Sequence, residues 1–204
     1  MKKLLLATHN QAKLEELIKG TKTLNKKIEI VSLKDFNINH EPEETGKTFK
    51  ENATLKAQYY ANLTGVSTVA DDGGLEIEIL NGKPGVNSHR WPGYKATDQE
   101  LVDYTLKRLN GLPKEKRTAY LRVCVCFYDP KNKINLCEEE KIKGYISEKA
   151  TQRPTNGYPY RSLFVVSKFN RFYDELTKEE HEQINHRLIA LKRLVNKASK
   201  YLIE

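Results

Sequence analysis

Residues 69–91, VADDGGLEIEILNGKPGVNSHRW, constrain this chain most tightly. An apolar run ends in two adjacent carboxylates, Asp71 and Asp72, and two glycines follow at once. The alternation Leu75-Glu76-Ile77-Glu78-Ile79 predicts a half-buried strand, and Asn81-Gly82 signals a tight hairpin turn. The pair of acids is therefore expected at a strand end that feeds a hairpin. Neighbouring side chains on a regular strand point to opposite faces. A turn at Gly73-Gly74 would lift that constraint and let both acids reach one cation.

The remainder reads as strands alternating with helices. KKLLLA is a short buried strand, and THNQAKLEELIKG turns into a helix with Leu14, Leu17 and Ile18 on one face. KIEIVSL, beginning at Lys27, is the next strand, and KDFNINHEPEETGK is a polar loop. Thr48 and Glu51 have the spacing of a capping box, Phe49, Ala53, Ala57, Tyr60 and Ala61 form an apolar stripe, and Gly65 stops that helix. VSTVA leads into Asp71. A second capping box, Thr97 with Glu100, opens another helix. Strands are expected over 118–128, 134–142 and 144–149, then a loop from Thr151 leading into a further strand. Thr177 and Glu180 cap one last helix, along which Ile184, Leu188, Leu191, Val195 and Ala198 recur at helical spacing. The order is α/β with a mixed sheet and several hairpins. At 204 residues the chain is one domain, with room for two lobes and a substantial core.

Thirty-five Lys and Arg against 27 Asp and Glu leave a formal net charge of +8, which favours polyanions, nucleotide triphosphates or nucleic acid. The lysines are spread along the chain and form no basic arm, so nucleic acid is the weaker reading. No apolar run approaches membrane-spanning length, and the apolar start of MKKLLLATHNQAK is too short for a signal peptide. The cysteines, Cys124, Cys126 and Cys137, lack zinc-like spacing. They read as buried free thiols, and a reducing cytoplasm follows.

Two segments invite phosphate and metal chemistry. ATHNQAK runs from a strand straight into a helix, whose free N–H groups and dipole suit phosphate oxygens, with Lys13 one turn in. It lacks the glycines and the Lys-Ser/Thr pair of a Walker loop. In EPEETGKTFKENATLKA, Glu44 precedes a helix that carries Glu51 in its first turn and Lys56 beyond. Glu51 reads equally well as a cap or as a ligand. Magnesium takes oxygen ligands, commonly one or two carboxylates plus substrate phosphates. A basic chain that gathers acids at two element junctions fits a metal–triphosphate site.

In order and spacing, LLATHNQAK, EETGKTFKENATLKA, ADDGGLEIEILNGKPGVNSHR and LTKEEHEQINHRLIAL resemble the inosine/xanthosine triphosphate pyrophosphatase family, over nearly the whole chain. The resemblance implies an elongated two-lobed α/β fold, a mixed β-sheet with flanking helices and the active site in the cleft between lobes. It also implies a homodimer and one pyrophosphatase domain over residues 1–204. The implied reaction is Mg²⁺-dependent hydrolysis of non-standard purine triphosphates (ITP, dITP, XTP) to monophosphate and pyrophosphate. Carried onto this chain, Thr8, His9, Asn10, Gln11, Ala12 and Lys13 match the phosphate-binding turn. Glu44, Asp72 and the neighbouring Asp71 match the metal-binding acids, with Asp72 also the base for the attacking water. Gly73 and Lys56 are further substrate-binding candidates, His186-Arg187 match the pair near base and phosphates, and Arg90 falls where family members often have a basic residue facing the cleft.

The chain departs from the pattern in places. The serine usual after the acids is Gly73, and Asn185 replaces the serine of the SHR triplet. A lysine is expected where His181 stands. The base-recognition block reads GYPYRSLF, so Tyr158, Pro159, Tyr160 and Arg161 are its candidates. The two tyrosines are able to stack on a purine. Arg161 occupies an aspartate position, which reverses charge and hydrogen-bond role. Arginine offers only donors, and a 6-oxo purine presents acceptors at O6 and N7. Broadened specificity toward GTP or dGTP, and a catalytically retired nucleotide- or nucleic-acid-binding protein, stand as rival readings.

Overall fold

The computed structural model of this chain describes residues 2–22, 24 and 28–203. Among the described residues, seven strands form one sheet: β1 (Lys2–Leu6), β2 (Ile28–Ser32), β3 (Ser67–Ile77), β4 (Thr118–Asp129), β5 (Ile134–Ile146), β6 (Phe164–Val166) and β7 (Arg171–Phe172). Their order is β2-β1-β3-β4-β5-β6-β7. β1 pairs parallel with both β2 and β3, whereas β6 pairs antiparallel with β5 and β7. The parallel pairs require helical crossovers. These are α1 (Gln11–Thr21) and α2 (Phe49–Thr64), and α3 (Asp98–Arg108), α4 (Lys178–Ile184) and α5 (His186–Ile203) complete the α-helices among the described residues. Lys27, the first residue of the expected second strand, lies outside the described residues.

The chain divides into two compact units. Unit 1 comprises residues 1–72, 123–140 and 186–204, and unit 2 comprises 73–122 and 141–185. Each has its own apolar core. In unit 1, Leu4, Leu6 and Val69 pack with Val123, Val125 and Phe127 and with Leu191 and Leu194 of α5. In unit 2, Leu75 and Ile77 pack with Leu101, Ile146, Phe164 and Tyr173.

Local chemistry explains the element ends. Thr97 and Thr177 each accept from the N3 amide while Glu100 and Glu180 return a bond to the cap, so both capping boxes form as expected. At α2 only half of the expected box forms: Thr48 accepts from the Glu51 amide, but the Glu51 carboxylate accepts from Lys47 N instead. Gly65 ends α2 in the left-handed conformation, φ 70°.

Four expectations are corrected. Asp71 and Asp72 do not sit at a strand end; they lie inside β3, which runs unbroken through Gly73 and Gly74 to Ile77. Asn81 and Gly82 do turn the chain, at φ 52° and 79°, but only Glu76 and Pro84 pair across that turn. The strands expected at 134–142 and 144–149 are a single strand, β5. The last helix is two helices, because Asn185 leaves helical geometry at ψ 95° and α5 starts afresh at His186. The cysteines differ as well. Cys126 and Cys137 are disulfide-bonded across the hairpin of β4 and β5, with Cα atoms 4.2 Å apart, and only Cys124 is a buried free thiol. The free-thiol argument for a reducing compartment therefore does not hold. No described helix is long and apolar enough to cross a membrane.

Candidate active site

Because β3 is regular at the two acids, their side chains point to opposite faces, and each enters a separate network within unit 1. On one face Asp71 Oδ2 accepts from Lys13 Nζ at 3.1 Å and from Arg187 Nε at 3.2 Å. Arg187 also donates to Glu16 Oε2 at 2.6 Å. Asp71, Glu16 and Arg187 are buried, so two acids and two bases neutralise one another away from water. Burial alone would raise the Asp71 carboxyl. Lys13 and Arg187 outweigh it and hold Asp71 well below the usual carboxylate range.

On the other face Asp72 Oδ2 accepts from Asn52 Nδ2 at 3.0 Å, while its Oδ1 lies 3.6 Å from Lys56 Nζ. The same ammonium donates to Glu44 Oε1 at 2.6 Å. Asn52 faces both ways, since its Oδ1 accepts from Gly46 N at 2.8 Å and so pins the loop that carries Glu44. A side chain at Gly46 would place Cβ 2.5 Å from that oxygen, which only glycine avoids. Burial is the main influence on Asp72, and with Glu44 it raises the carboxyl above its ordinary value against the pull of Lys56 and Lys13. Burial would lower Lys56, but Asp72 and Glu44 more than compensate and keep it charged. With both acids ionised, this face carries two carboxylates against one ammonium.

The turn between β1 and α1 lies in the same unit. Asn10 caps α1 by accepting from Lys13 N at 3.1 Å, and its own amide donates to Thr8 Oγ1 at 3.2 Å. Gln11 and Ala12 are the first helical residues, where the α1 dipole is positive. His9 Nε2 lies 3.3 Å from the His40 carbonyl oxygen and 3.5 Å from the Tyr60 hydroxyl. His186 and Arg187 are buried in the first turn of α5. The break at Asn185 is what presents them at a helix start.

The other candidates belong to unit 2. Arg90 ends the short 3-10 segment Gly85–Arg90 and is exposed. Gly73 is half-buried in β3. Its neighbour Gly74 is required by packing and not by a turn, since a Cβ there would meet Ser88 Oγ at 2.1 Å. Ser88 Oγ in turn accepts from Leu75 N at 3.0 Å and donates to Gly85 O at 2.6 Å. In the GYPYRSLF block the Arg161 guanidinium lies 3.5 Å from the Tyr158 ring centroid and 4.7 Å from that of Tyr173. His181 meets Tyr173 edge-on at 5.1 Å. Pro159 and Tyr160 are buried, and the Tyr160 hydroxyl donates to Ser88 O at 2.5 Å. Tyr160 is thus a core residue, against the expectation of a stacking face.

Asn52, Glu16 and Gly46 escaped sequence reasoning. Asn52 alone left a signal: a short polar residue beside the apolar stripe of Phe49, Ala53 and Ala57, where a buried amide needs partners.

A split pair of acids, a capped helix start with a lysine beside it and a carboxylate–ammonium–carboxylate centre set the chemistry, and comparison with known proteins sets the lineage. Residues 4–197 match the model of the Ham1 family. The chain is 38% identical over 202 residues to a dITP/XTP pyrophosphatase of Thermoanaerobacter pseudethanolicus, covering 99% of each chain. It is 36% identical to the dITP/XTP pyrophosphatase of Bacillus subtilis, covering 95% of this chain and 96% of that one. Among solved structures, a HAM1 protein from Coxiella burnetii superposes with a TM-score of 0.84 at 33% identity, over 98% of this chain and all of the other. Shared blocks, shared sheet and full-length similarity have one reading: the chain belongs to the Ham1 family.

Proposed function

We propose that this chain is a nucleoside triphosphate pyrophosphatase that hydrolyses non-standard purine triphosphates (ITP, dITP and XTP) to the monophosphate and pyrophosphate. The observation that carries the reading is the division of labour between two adjacent carboxylates. One is locked as a permanent anion among cations, and the other is raised by burial beside a second acid. Neighbouring acids whose environments drive them apart suit different roles in one reaction. Asp72 is the general base that takes a proton from the attacking water. Asp71 is a positioning residue: it holds Lys13 beside the start of α1 and Arg187 at the start of α5.

Glu44 and Asp72 would hold Mg²⁺. They are hard oxygen donors turned toward one positive centre, the Lys56 ammonium, and they carry one negative charge beyond what it neutralises. When bound, the ion supplies charge neutralisation at the phosphates and lowers the pKa of coordinated water. The chain's own groups do the rest. Amides at the α1 start, from Thr8 to Lys13, receive phosphate oxygens, and Lys13 and Lys56 add positive charge where the leaving pyrophosphate gains negative charge. Asp71, expected from the sequence to be a metal ligand as well, is given the positioning role in this reading because its Oδ2 meets two cations.

The two units act as one pyrophosphatase domain, the assembly is a homodimer, and the enzyme works in the cytoplasm on the nucleotide pool. Light scattering that returns the mass of two chains supports the dimer, and the mass of one chain contradicts it. Pyrophosphate release from ITP, dITP, XTP, GTP, dGTP, ATP and pyrimidine triphosphates, with and without Mg²⁺, tests the activity. Metal-dependent turnover led by ITP and XTP is the expected result. A salt-sensitive gel shift with no turnover would favour the retired binder instead. Arg161, its guanidinium 3.5 Å from the Tyr158 ring centroid, favours a second specificity reading in which its donors meet O6 and N7 of any 6-oxo purine, GTP included.

A further inference from the structure

Three sulfurs gather in unit 1 where the proposed chemistry has no use for them. Cys126 and Cys137 are bonded, and Cys124 Sγ lies 3.7 Å from Cys126 Sγ. Thr54 Oγ1, on α2, is 3.4 Å from the sulfurs of both bonded cysteines. Exposure within the cluster is uneven: Cys124 and Cys126 are fully buried, whereas Cys137 is half-buried. An attacking thiolate must reach a sulfur, so Cys137 is the one offered to solvent. Attack there expels Cys126 as a thiolate inside the core, where an unpaired anion is costly. Two donors already flank it, the Thr54 hydroxyl and the Cys124 S–H. Burial, with Glu139 nearby, pushes the Cys124 thiol up to about 12, so it keeps its proton.

We propose that Cys126–Cys137 is a thiol–disulfide exchange site, opened by a dithiol reductant at the Cys137 sulfur while Thr54 and Cys124 donate to the departing Cys126 sulfur. The reductant's thiolate bonds to Cys137 Sγ, the S–S bond breaks, and its electron pair stays on Cys126, which takes a proton. The reductant's second thiolate then attacks its own sulfur in the mixed disulfide and releases Cys137, which is protonated in turn. Two electrons and two protons pass to the protein, and the dithiol leaves as its cyclic disulfide. The freed sulfurs must move apart to a non-bonded distance between Cys124 and Thr54. Thr54 lies on α2 between Asn52 and Lys56, so the bond's state reaches the helix that holds Asp72 and Glu44.

The test uses the full chain and needs no nucleotide. Oxidised with trans-4,5-dihydroxy-1,2-dithiane, the protein should show one free thiol by alkylation and mass spectrometry. Brief exposure to glutathione should leave its adduct on Cys137. Opening by dithiothreitol should slow about tenfold in Cys124→Ala and in Thr54→Val, while Cys124→Ser, which keeps a donor, stays near wild type. Amide exchange over Asn52–Lys56 should quicken on reduction. Three free thiols after oxidation, an adduct on Cys126, or equal opening rates in the donor-deleted variants would overturn the exchange site. Unchanged amide exchange would overturn its link to α2. Thr54→Val keeps the rate test alive where Cys124→Ala fails to fold, as circular dichroism will tell.

Discussion

Along β3 the side chain of Asp71 meets Lys13 and Arg187, whereas that of Asp72 meets Asn52 and Lys56. The two residues are chemically identical, so their surroundings alone assign them different work. Asp72→Asn keeps volume and the strand but removes the proton acceptor proposed for the attacking water. It should lower kcat by roughly 10²–10⁴-fold with the unfolding midpoint nearly unchanged, measured by pyrophosphate release and urea titration. Asn52→Leu attacks the same carboxylate indirectly. It takes the Asn52 bond away from half-buried Gly46 N and from buried Asp72 Oδ2, and losing the buried one costs about 1–3 kcal/mol. That variant should lose both stability and turnover, and retention of either would remove Asn52 from the site. Sequence reading found the acids because adjacent carboxylates after an apolar run are conspicuous. It missed Asn52 because its place beside the apolar stripe signals a buried amide but not that Asp72 and Gly46, 20 and 6 residues away, are its partners.

At the scale of elements, the acids were expected at a turn that lets both reach one cation, and β3 instead runs unbroken through them. Two glycines after Asp72 imitate a loop signal, yet Gly74 is glycine because Ser88 packs where its Cβ would be. Gly74→Ala should therefore destabilise unit 2 by about 1–3 kcal/mol, read as a lower urea midpoint, through overpacking and not through lost chain freedom. The opposite face of β3 gives a pH test. Asp71 ionises at lower pH in the folded chain than in the unfolded one, whose carboxyl has its ordinary value near 3.9. Its contribution to stability is complete above that value and is lost as pH falls toward the folded-state value. Urea unfolding from pH 7 down to pH 3 should show wild type losing more stability than Asp71→Asn, and a parallel decline would mean the pairing contributes nothing. At pH 7 the variant should be weaker by about 3–5 kcal/mol, because Arg187 and Lys13 lose a buried counter-charge. The break between α4 and α5 escaped the sequence for a different reason. Apolar spacing runs on across Asn185, and only its backbone angles interrupt the helix.

For the whole molecule, unit 1 draws on three separated segments, and Asp72 and His186 stand at the ends of two of them. Chain order is thus a poor guide to which residues meet, and the resemblance of four ordered blocks carried what spacing alone could not. It says least about base choice, because GYPYRSLF departs from the pattern there. Arg161 rests on Tyr158 with its donors held in one plane, and a guanidinium has no acceptor to offer an amino group on the base. On the proposed reading its donors meet O6 and N7, and it offers no acceptor to the 2-amino group that separates guanine from hypoxanthine. An aspartate at this position would accept from a ring N–H and bear the opposite charge. Arg161→Asp should raise the ITP:GTP ratio of kcat/KM, by a factor on the order of ten if one charge-assisted hydrogen bond changes hands. The control is the Asp72→Asn background, in which turnover of both substrates should fall together. An unchanged ratio in Arg161→Asp would place base discrimination elsewhere, in backbone amides that no side-chain exchange can reverse.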